Sequence, residues 1–303
     1  MEYALILSGQ GSERPGMLKD AIAEYEFAHD LVAEAQKYTG LDLFDIIKSN
    51  DLKKIADPRV NQFIIFLFHN IYSRLVIEKL GQKPEFVAGH SVGQLCSYAV
   101  SGAVSVEDML AFLKDRTDII NDSSIDLKAS FYNCFGITYD DMNSIISEHG
   151  LQEEIEIGLH NQETNVVVAV TEKGREKLEE LKETYKFLVK KLDVARPYHT
   201  HFMNEYNSKL LPVIQKMNFK NPDFPILLNN GCKLEYNGDV IKAETEIQMI
   251  KPVFWYKSLN AVQCDNYIVL DPSKSQAKIL SKIVKKNIVT VYNNSCLRNM
   301  KIQ

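Results

Sequence analysis

In Gly89-His90-Ser91-Val92-Gly93 a serine sits between two glycines, directly after the apolar run Phe86-Val87-Ala88 and ahead of a helical pattern over 92–101. A serine hydroxyl is best presented for nucleophilic attack on a sharp turn between a strand and a helix, and glycines on either side permit the tight backbone. The helix that follows points its positive end at the serine, and the N–H of Val92 can donate to an oxygen that gains negative charge. The plainer reading is an ordinary glycine turn at a strand–helix junction. The apolar strand before the motif and the helical pattern after it favour the nucleophile.

A serine nucleophile needs a base. Seven histidines are available. His90 adjoins Ser91, but neighbours on such a turn point apart. His29, His69, His149 and His160 fall in helical or strand patterns and read as surface or core residues. His199 and His201 lie in Arg196-Pro197-Tyr198-His199-Thr200-His201, a loop that enters a helix, where function often resides. A histidine pair spaced this way can also bind metal or simply face solvent. No further ligand cluster accompanies it, so no metal site is expected.

These residues need a scaffold. Tyr3–Leu7 reads as a buried strand that stops at Ser8-Gly9-Gln10-Gly11. Residues 17–37 and 59–80 have helical spacing, 86–88 is a strand, and 92–101 and 106–121 are helical. Alternation of strand and helix predicts an α/β fold with a parallel sheet. From residue 127 the rhythm changes. Strands are expected at Ala129–Ile137, Ile155–Leu159, Val166–Val170 and Phe187–Val194, with helices at Asp140–His149 and Lys173–Tyr185. That βαββαβ order is ferredoxin-like and predicts a small inserted subdomain over 127–196. The α/β pattern resumes after Pro197, with strands at Ile226–Leu228, Tyr267–Leu270 and Ile288–Val291. The large subdomain is therefore assigned 1–126 and 197–303.

Composition narrows the possible partners. Net charge is −5, which disfavours a nucleic-acid backbone as ligand. Cys96, Cys134, Cys232, Cys264 and Cys296 are scattered and form no C-x-x-C pair, which fits a reducing cytoplasm better than a disulfide framework. The N-terminus lacks the basic region of a signal peptide, and apolar runs such as Phe63–Phe68 are too short to span a bilayer. A soluble cytoplasmic protein is expected.

Beyond the serine motif, the chain resembles the malonyl-CoA:acyl carrier protein transacylases, including the free-standing acyltransferases of polyketide synthases. That family opens with G-Q-G-S-Q-x-x-G-M, matched here by Gly9 to Met17. Its G-H-S-x-G-E falls on Gly89 to Gln94, and its downstream arginine on Arg116. Its asparagine before a V-V-x-A strand falls on Asn161, its P-F-H-S-x-x-M on Pro197 to Met203, and its Q-x-x-x-P-V-x-W on Gln248, Pro252, Val253 and Trp255. The matches run in order over nearly the whole chain.

The resemblance implies an α/β-hydrolase-like large subdomain, a ferredoxin-like small one and a cleft between them. It implies that Ser91 carries the acyl group and that His199 is base and then acid, oriented by a backbone carbonyl near Gln248 rather than by a carboxylate. Gln10 and Val92 would form the oxyanion hole, and Arg116 would clamp a malonyl carboxylate. Without the resemblance, Arg116 reads as a helix-surface ion pair with Asp115 or Asp118. His90, Asn161, Tyr198 and Gln248 would support the site. The expected partners are malonyl-CoA and an acyl carrier protein, in polyketide or fatty acid biosynthesis. The expected state is a monomer, with no cofactor beyond the CoA thioester itself.

Gln94, Glu13, Tyr198 and Asp271-Pro272-Ser273 depart from the family pattern, though none removes a group the chemistry requires. Tyr198 is bulky and would disfavour an α-branched unit such as methylmalonyl. Lys182, Lys186 and Lys190, or Lys282, Lys285 and Lys286, are candidates to meet an acidic carrier. Two other readings remain: a hydrolase that edits stalled acyl chains off carrier proteins, and a non-enzymatic docking partner. Arg116 argues against the first. Joint retention of Ser91, His199, Gln10 and Arg116 argues against the second.

Overall fold

The structure is a computed structural model that describes residues 2–125, 129–192 and 196–302. Among the described residues the strands are β1 (Tyr3–Leu7), β2 (Phe86–Gly89), β3 (Ala129–Phe135), β4 (Ile155–Gln162), β5 (Asn165–Thr171), β6 (Leu188–Lys191), β7 (Ile226–Leu227), β8 (Leu234–Glu235), β9 (Asn266–Leu270) and β10 (Asn287–Val291). They form two sheets, ordered β10-β9-β1-β2-β7-β8 and β4-β5-β3-β6.

The first sheet is parallel from β10 to β7, and β8 closes the edge antiparallel to β7. Central β1 is buried at all five positions because helices cover both faces. Its alternating side chains feed two cores. Tyr3, Leu5 and Leu7 join the core built around the Asn61–Leu80 helix. Ala4 and Ile6 join the core of Trp255, Leu259 and Leu280. The Phe63–Phe68 run lies inside that long helix, which is buried on nearly every side.

The second sheet is antiparallel throughout, with helices Tyr139–Glu148 and Glu172–Tyr185 after β3 and β5. Val166, Val168 and Val170 of β5 pack under those helices, whereas Val167 and Ala169 face the main core. Strand β4 also touches the segment before Trp255. Val253 N–H donates to Gly158 O at 2.9 Å, and His160 N–H donates to Val253 O at 2.9 Å.

The structure departs from the sequence-based expectation at several points. The helix expected over 17–37 is two helices, Lys19–Glu24 and Glu26–Thr39, because Tyr25 takes extended backbone between them. The strand expected to run to Ile137 ends at Phe135, before Gly136 at φ +84°. The last strand of the second sheet runs only over Leu188–Lys191; its expected end at Asp193 and Val194, and the boundary residues Asp126 and Leu127, lie outside the described residues.

Candidate active site

Ser91 occupies the turn between β2 and the Val92–Val100 helix at φ 56°, ψ −114°, a conformation that costs an ordinary residue of order 1–3 kcal/mol. The flanking glycines are required by close approach. A Cβ on Gly89 would lie 2.0 Å from the carbonyl of Gly93, and one on Gly93 would lie 2.6 Å from Leu7 O and 2.8 Å from Ser8 O. Strand β1, the turn and the helix thus meet backbone to backbone.

His199 Nε2 lies 2.6 Å from Ser91 Oγ. The imidazole is buried, and its Nδ1 lies 2.7 Å from the carbonyl oxygen of Gln248. A carbonyl can only accept, so Nδ1 carries the proton and Nε2 offers a lone pair to the serine hydroxyl. Burial is the main cause that drives His199 down to about 3, and the nearby His90 and Arg116 push in the same direction. The ring is therefore neutral at ordinary pH, as a base must be. His199 itself has φ +65°, and its N–H donates to Met249 O at 2.7 Å. Gln248 acts twice, since its side-chain amide also donates to Ser91 O at 3.1 Å.

The other expected site residues fall around this pair. His90 Nε2 lies 2.9 Å from Asn161 Oδ1, and its ring meets Trp255 edge-on at 5.2 Å between centroids. It lines the same cavity as Ser91, and its bond to Asn161 ties the end of β2 to β4. Gln10 lines the same cavity as Ser91, together with Glu13, Asn61, Tyr198 and His199. That cavity has a volume of about 230 Å³. Val92 is the first helical residue, so its N–H lacks an intrahelical partner and faces the turn.

Arg116 is 3% exposed, which removes the helix-surface reading. Its guanidinium donates to Gln62 Oε1 and lies 5.5 Å from the Tyr198 ring centroid, while Asp118 is taken by Lys114. Its hydrogen-bond partner is thus neutral. Glu13 accepts from Gly11 N–H at 2.8 Å, and burial raises its carboxyl above the usual range. Among the described residues, no group of three or more His, Cys, Asp or Glu side chains is arranged to hold a metal ion. Among the described residues, no helix is long and apolar enough to cross a membrane. Of the lysine groups, Lys182 pairs with Glu179 and Lys286 with Asp265.

Sequence reasoning missed Asn229. It follows β7, and its side chain spans the turn. Oδ1 accepts from Ser91 N–H at 3.0 Å, and Nδ2 donates to Gly89 O at 2.7 Å. Asn229 N–H in turn donates to Gln94 Oε1 at 3.1 Å, and Gln94 Nε2 donates to Tyr98 OH and, at 3.4 Å, to Glu244. The Glu244 carboxylate accepts from Asn230 N–H at 2.7 Å and Gly231 N–H at 3.0 Å, and burial raises its carboxyl. The available signal was position: Asn229 sits just past the carboxyl end of a strand of the parallel sheet, where α/β folds gather functional groups.

A serine hydroxyl bonded to a buried, neutral imidazole is an arrangement capable of nucleophilic attack on a carbonyl. Residues 4–229 match the acyl transferase domain family, and the chain belongs to that family. Over 99% of its length it is 24% identical to the malonyl CoA-acyl carrier protein transacylase of Buchnera aphidicola subsp. Schizaphis graminum, covering 97% of that protein. It is 25% identical to the enzyme of the same name from Bacillus subtilis, over 94% of this chain and 90% of that one. Among solved structures, the Coxiella burnetii malonyl CoA-acyl carrier protein transacylase superposes with a TM-score of 0.90 at 18% identity, covering 98% of this chain and 96% of that one. A malonyl-transacylase solved in complex with a type II PKS acyl-carrier protein superposes with a TM-score of 0.89 at 21% identity, covering 98% of each chain.

Proposed function

We propose that this chain moves a malonyl group from malonyl-CoA to the phosphopantetheine thiol of an acyl carrier protein, with Ser91 as the covalent way-station. The observation that carries the reading is the 2.6 Å contact between Ser91 Oγ and His199 Nε2, with Nδ1 committed to the Gln248 carbonyl. His199 takes the Ser91 proton as Oγ attacks the thioester carbonyl. The tetrahedral oxyanion accepts hydrogen bonds from the N–H groups of Gln10 and Val92. Collapse expels CoA, whose sulfur takes the proton from His199. The carrier thiol then gives its proton to His199 and attacks the Ser91 ester, and the proton returns to Ser91 as the acyl thioester leaves.

Arg116 supplies the charge for the free malonyl carboxylate. Its buried guanidinium has a neutral hydrogen-bond partner, so an anion improves its electrostatics. His90, Asn161, Tyr198 and Gln248 brace the site. In the same reading, the four-stranded sheet is a ferredoxin-like subdomain (127–196) inserted into an α/β-hydrolase-like one (1–126 and 197–303). The protein works as a cytoplasmic monomer, and its reaction needs no cofactor beyond the CoA thioester.

Intact-protein mass spectrometry after brief incubation with malonyl-CoA, and then with a carrier protein, tests the proposal. The expected result is a malonyl adduct that maps to Ser91, is lost in S91A and R116A, forms more slowly from methylmalonyl-CoA, and moves to the carrier. An adduct from acetyl- or longer acyl donors that decays to free acid would replace the transferase with an editing hydrolase. Failure of Ser91 to take any acyl group would leave a docking protein.

A further inference from the structure

The histidine pair His199 and His201 stands out in the sequence, and the acyl-transfer chemistry uses only the first. His201 is engaged elsewhere. One oxygen of Glu156, on β4, lies 2.5 Å from both the backbone N and the ring Nδ1 of His201. A carboxylate oxygen only accepts, so both nitrogens donate to it, and the ring and its backbone are fixed together. The Phe202 ring also contacts the imidazole, tilted by 38° at 4.0 Å between centroids. The His201 ring is thus tied to β4, with 36% of its side chain still exposed.

The tie matters because of what it holds. His199, two residues earlier, has φ +65°, and an imidazole so placed keeps its geometry only if the surrounding backbone is over-determined. On one side the segment is bonded to the 248–249 carbonyls, through His199 Nδ1 and N–H. On the other it lies against β4, where a Cβ on Gly158 would sit 3.0 Å from Tyr198 O. Glu156 supplies a polar tie on that second side. We infer that Glu156, acting through His201, is a positioning residue that sets His199 against Ser91 and thereby governs the rate of Ser91 acylation.

The inference rests on the reading of Ser91 and His199 as nucleophile and base, and the test separates the two. Wild type, E156A, E156Q, H201A and E156A/H201A are compared by single-turnover malonylation and by inactivation with a phosphonofluoridate, which reports the serine–histidine pair without acyl recognition. S91A is the control. E156A is expected to lose about tenfold in both the acylation rate constant and the inactivation rate, with KM for malonyl-CoA within about twofold, since a small misplacement of a base slows chemistry more than binding. E156Q keeps an acceptor for the backbone N–H and stays within about threefold of wild type. The double variant is expected to match E156A, because H201A still leaves the backbone N–H of residue 201 bonded to Glu156 and loses only the ring contact. Wild-type rates in E156A, a rise confined to KM, additive losses in the double variant, or losses in all variants that follow their thermal unfolding would overturn the inference. If wild type fails to label at Ser91 while remaining folded, the underlying active-site reading falls instead.

Discussion

Asn229→Ala removes the side chain that bridges the two flanks of the nucleophile. Two hydrogen bonds go: the 3.0 Å bond from Ser91 N–H and the 2.7 Å bond to Gly89 O. The Gly89 carbonyl is buried and would be left without this partner, at about 1–3 kcal/mol. The Ser91 N–H is only part-buried, so water recovers some of its loss, and about 1 kcal/mol is a fair share. The stability cost is therefore about 2–4 kcal/mol, measured as a shift in urea unfolding. A second effect falls on the chemistry. Ser91 is held at φ 56°, ψ −114°, and the released turn gains by relaxing away from that conformation. If relaxation recovers even half of a strain of about 1–3 kcal/mol, the productive turn becomes a minority state, and acylation slows by about 10- to 100-fold once the lost clamp is included. Asn229 does not line the cavity, so KM should hardly move. Asn229→Asp is the sharper control. It keeps an acceptor for Ser91 N–H but sets a carboxylate oxygen against Gly89 O, and should do no better than alanine. A rapid-quench time course of Ser91 acylation, read by intact mass at saturating malonyl-CoA, measures the effect. Wild-type acylation in a folded N229A would refute the claim that this side chain holds the turn.

Gly93→Ala should cost about 1–3 kcal/mol or more in urea unfolding, because the new methyl lies 2.6 Å from Leu7 O and backbone cannot step aside; an unchanged midpoint would show that the turn is looser than described. The pH dependence has a defined sign. Burial holds His199 down to about 3 and His69 to about 4, so in the folded state both stay neutral where the unfolded chain takes up protons, below about 6.5. Their contribution to stability is full above 6.5 and is lost as pH falls toward their folded values, with a slope of up to about 2.7 kcal/mol per pH unit from the two groups. Glu13 and Glu244, both raised by burial, act oppositely: their contribution is full below the ordinary carboxylate range and is lost as pH rises through their folded values. For the same reason, single-turnover acylation should show no acid limb near pH 6.5, and a rate that titrates there would contradict a buried, neutral His199.

The features legible in the sequence are those that local backbone geometry imposes. Gly89 and Gly93 announce a turn because three backbones converge there, and the strand before them and the helix after them are written in apolar spacing. The partner of His199 Nδ1 was not legible from residue types, because a backbone carbonyl leaves no mark on its own residue; only the family resemblance pointed to Gln248. Asn229 was illegible for a related reason. Asn-Asn-Gly after a short strand reads as turn composition, and nothing local tells an asparagine that makes a turn from one that reaches 138 residues back to hold Ser91. Arg116 was ambiguous because Asp115 and Asp118 flank it on paper, whereas the helix rotates it inward onto Gln62.

The departures from the family pattern also gain physical sense only in three dimensions. A glutamate at 94 would set a second carboxylate beside Glu244, in a place that excludes water from both. Two buried like charges repel, and one would have to be neutralised. Gln94 resolves the conflict, since its oxygen accepts from Asn229 N–H while its amide donates toward Tyr98 and Glu244. The side chain thus satisfies an acceptor and a donor role at once, which a carboxylate cannot do. Glu244 meanwhile holds the turn that carries Asn229 through two backbone N–H groups. The amide at 94 and the acid at 244 therefore form one network whose end point is the backbone of Ser91. The amide at 94 thus serves the support of Ser91 beside an acid at 244, where a second carboxylate would not.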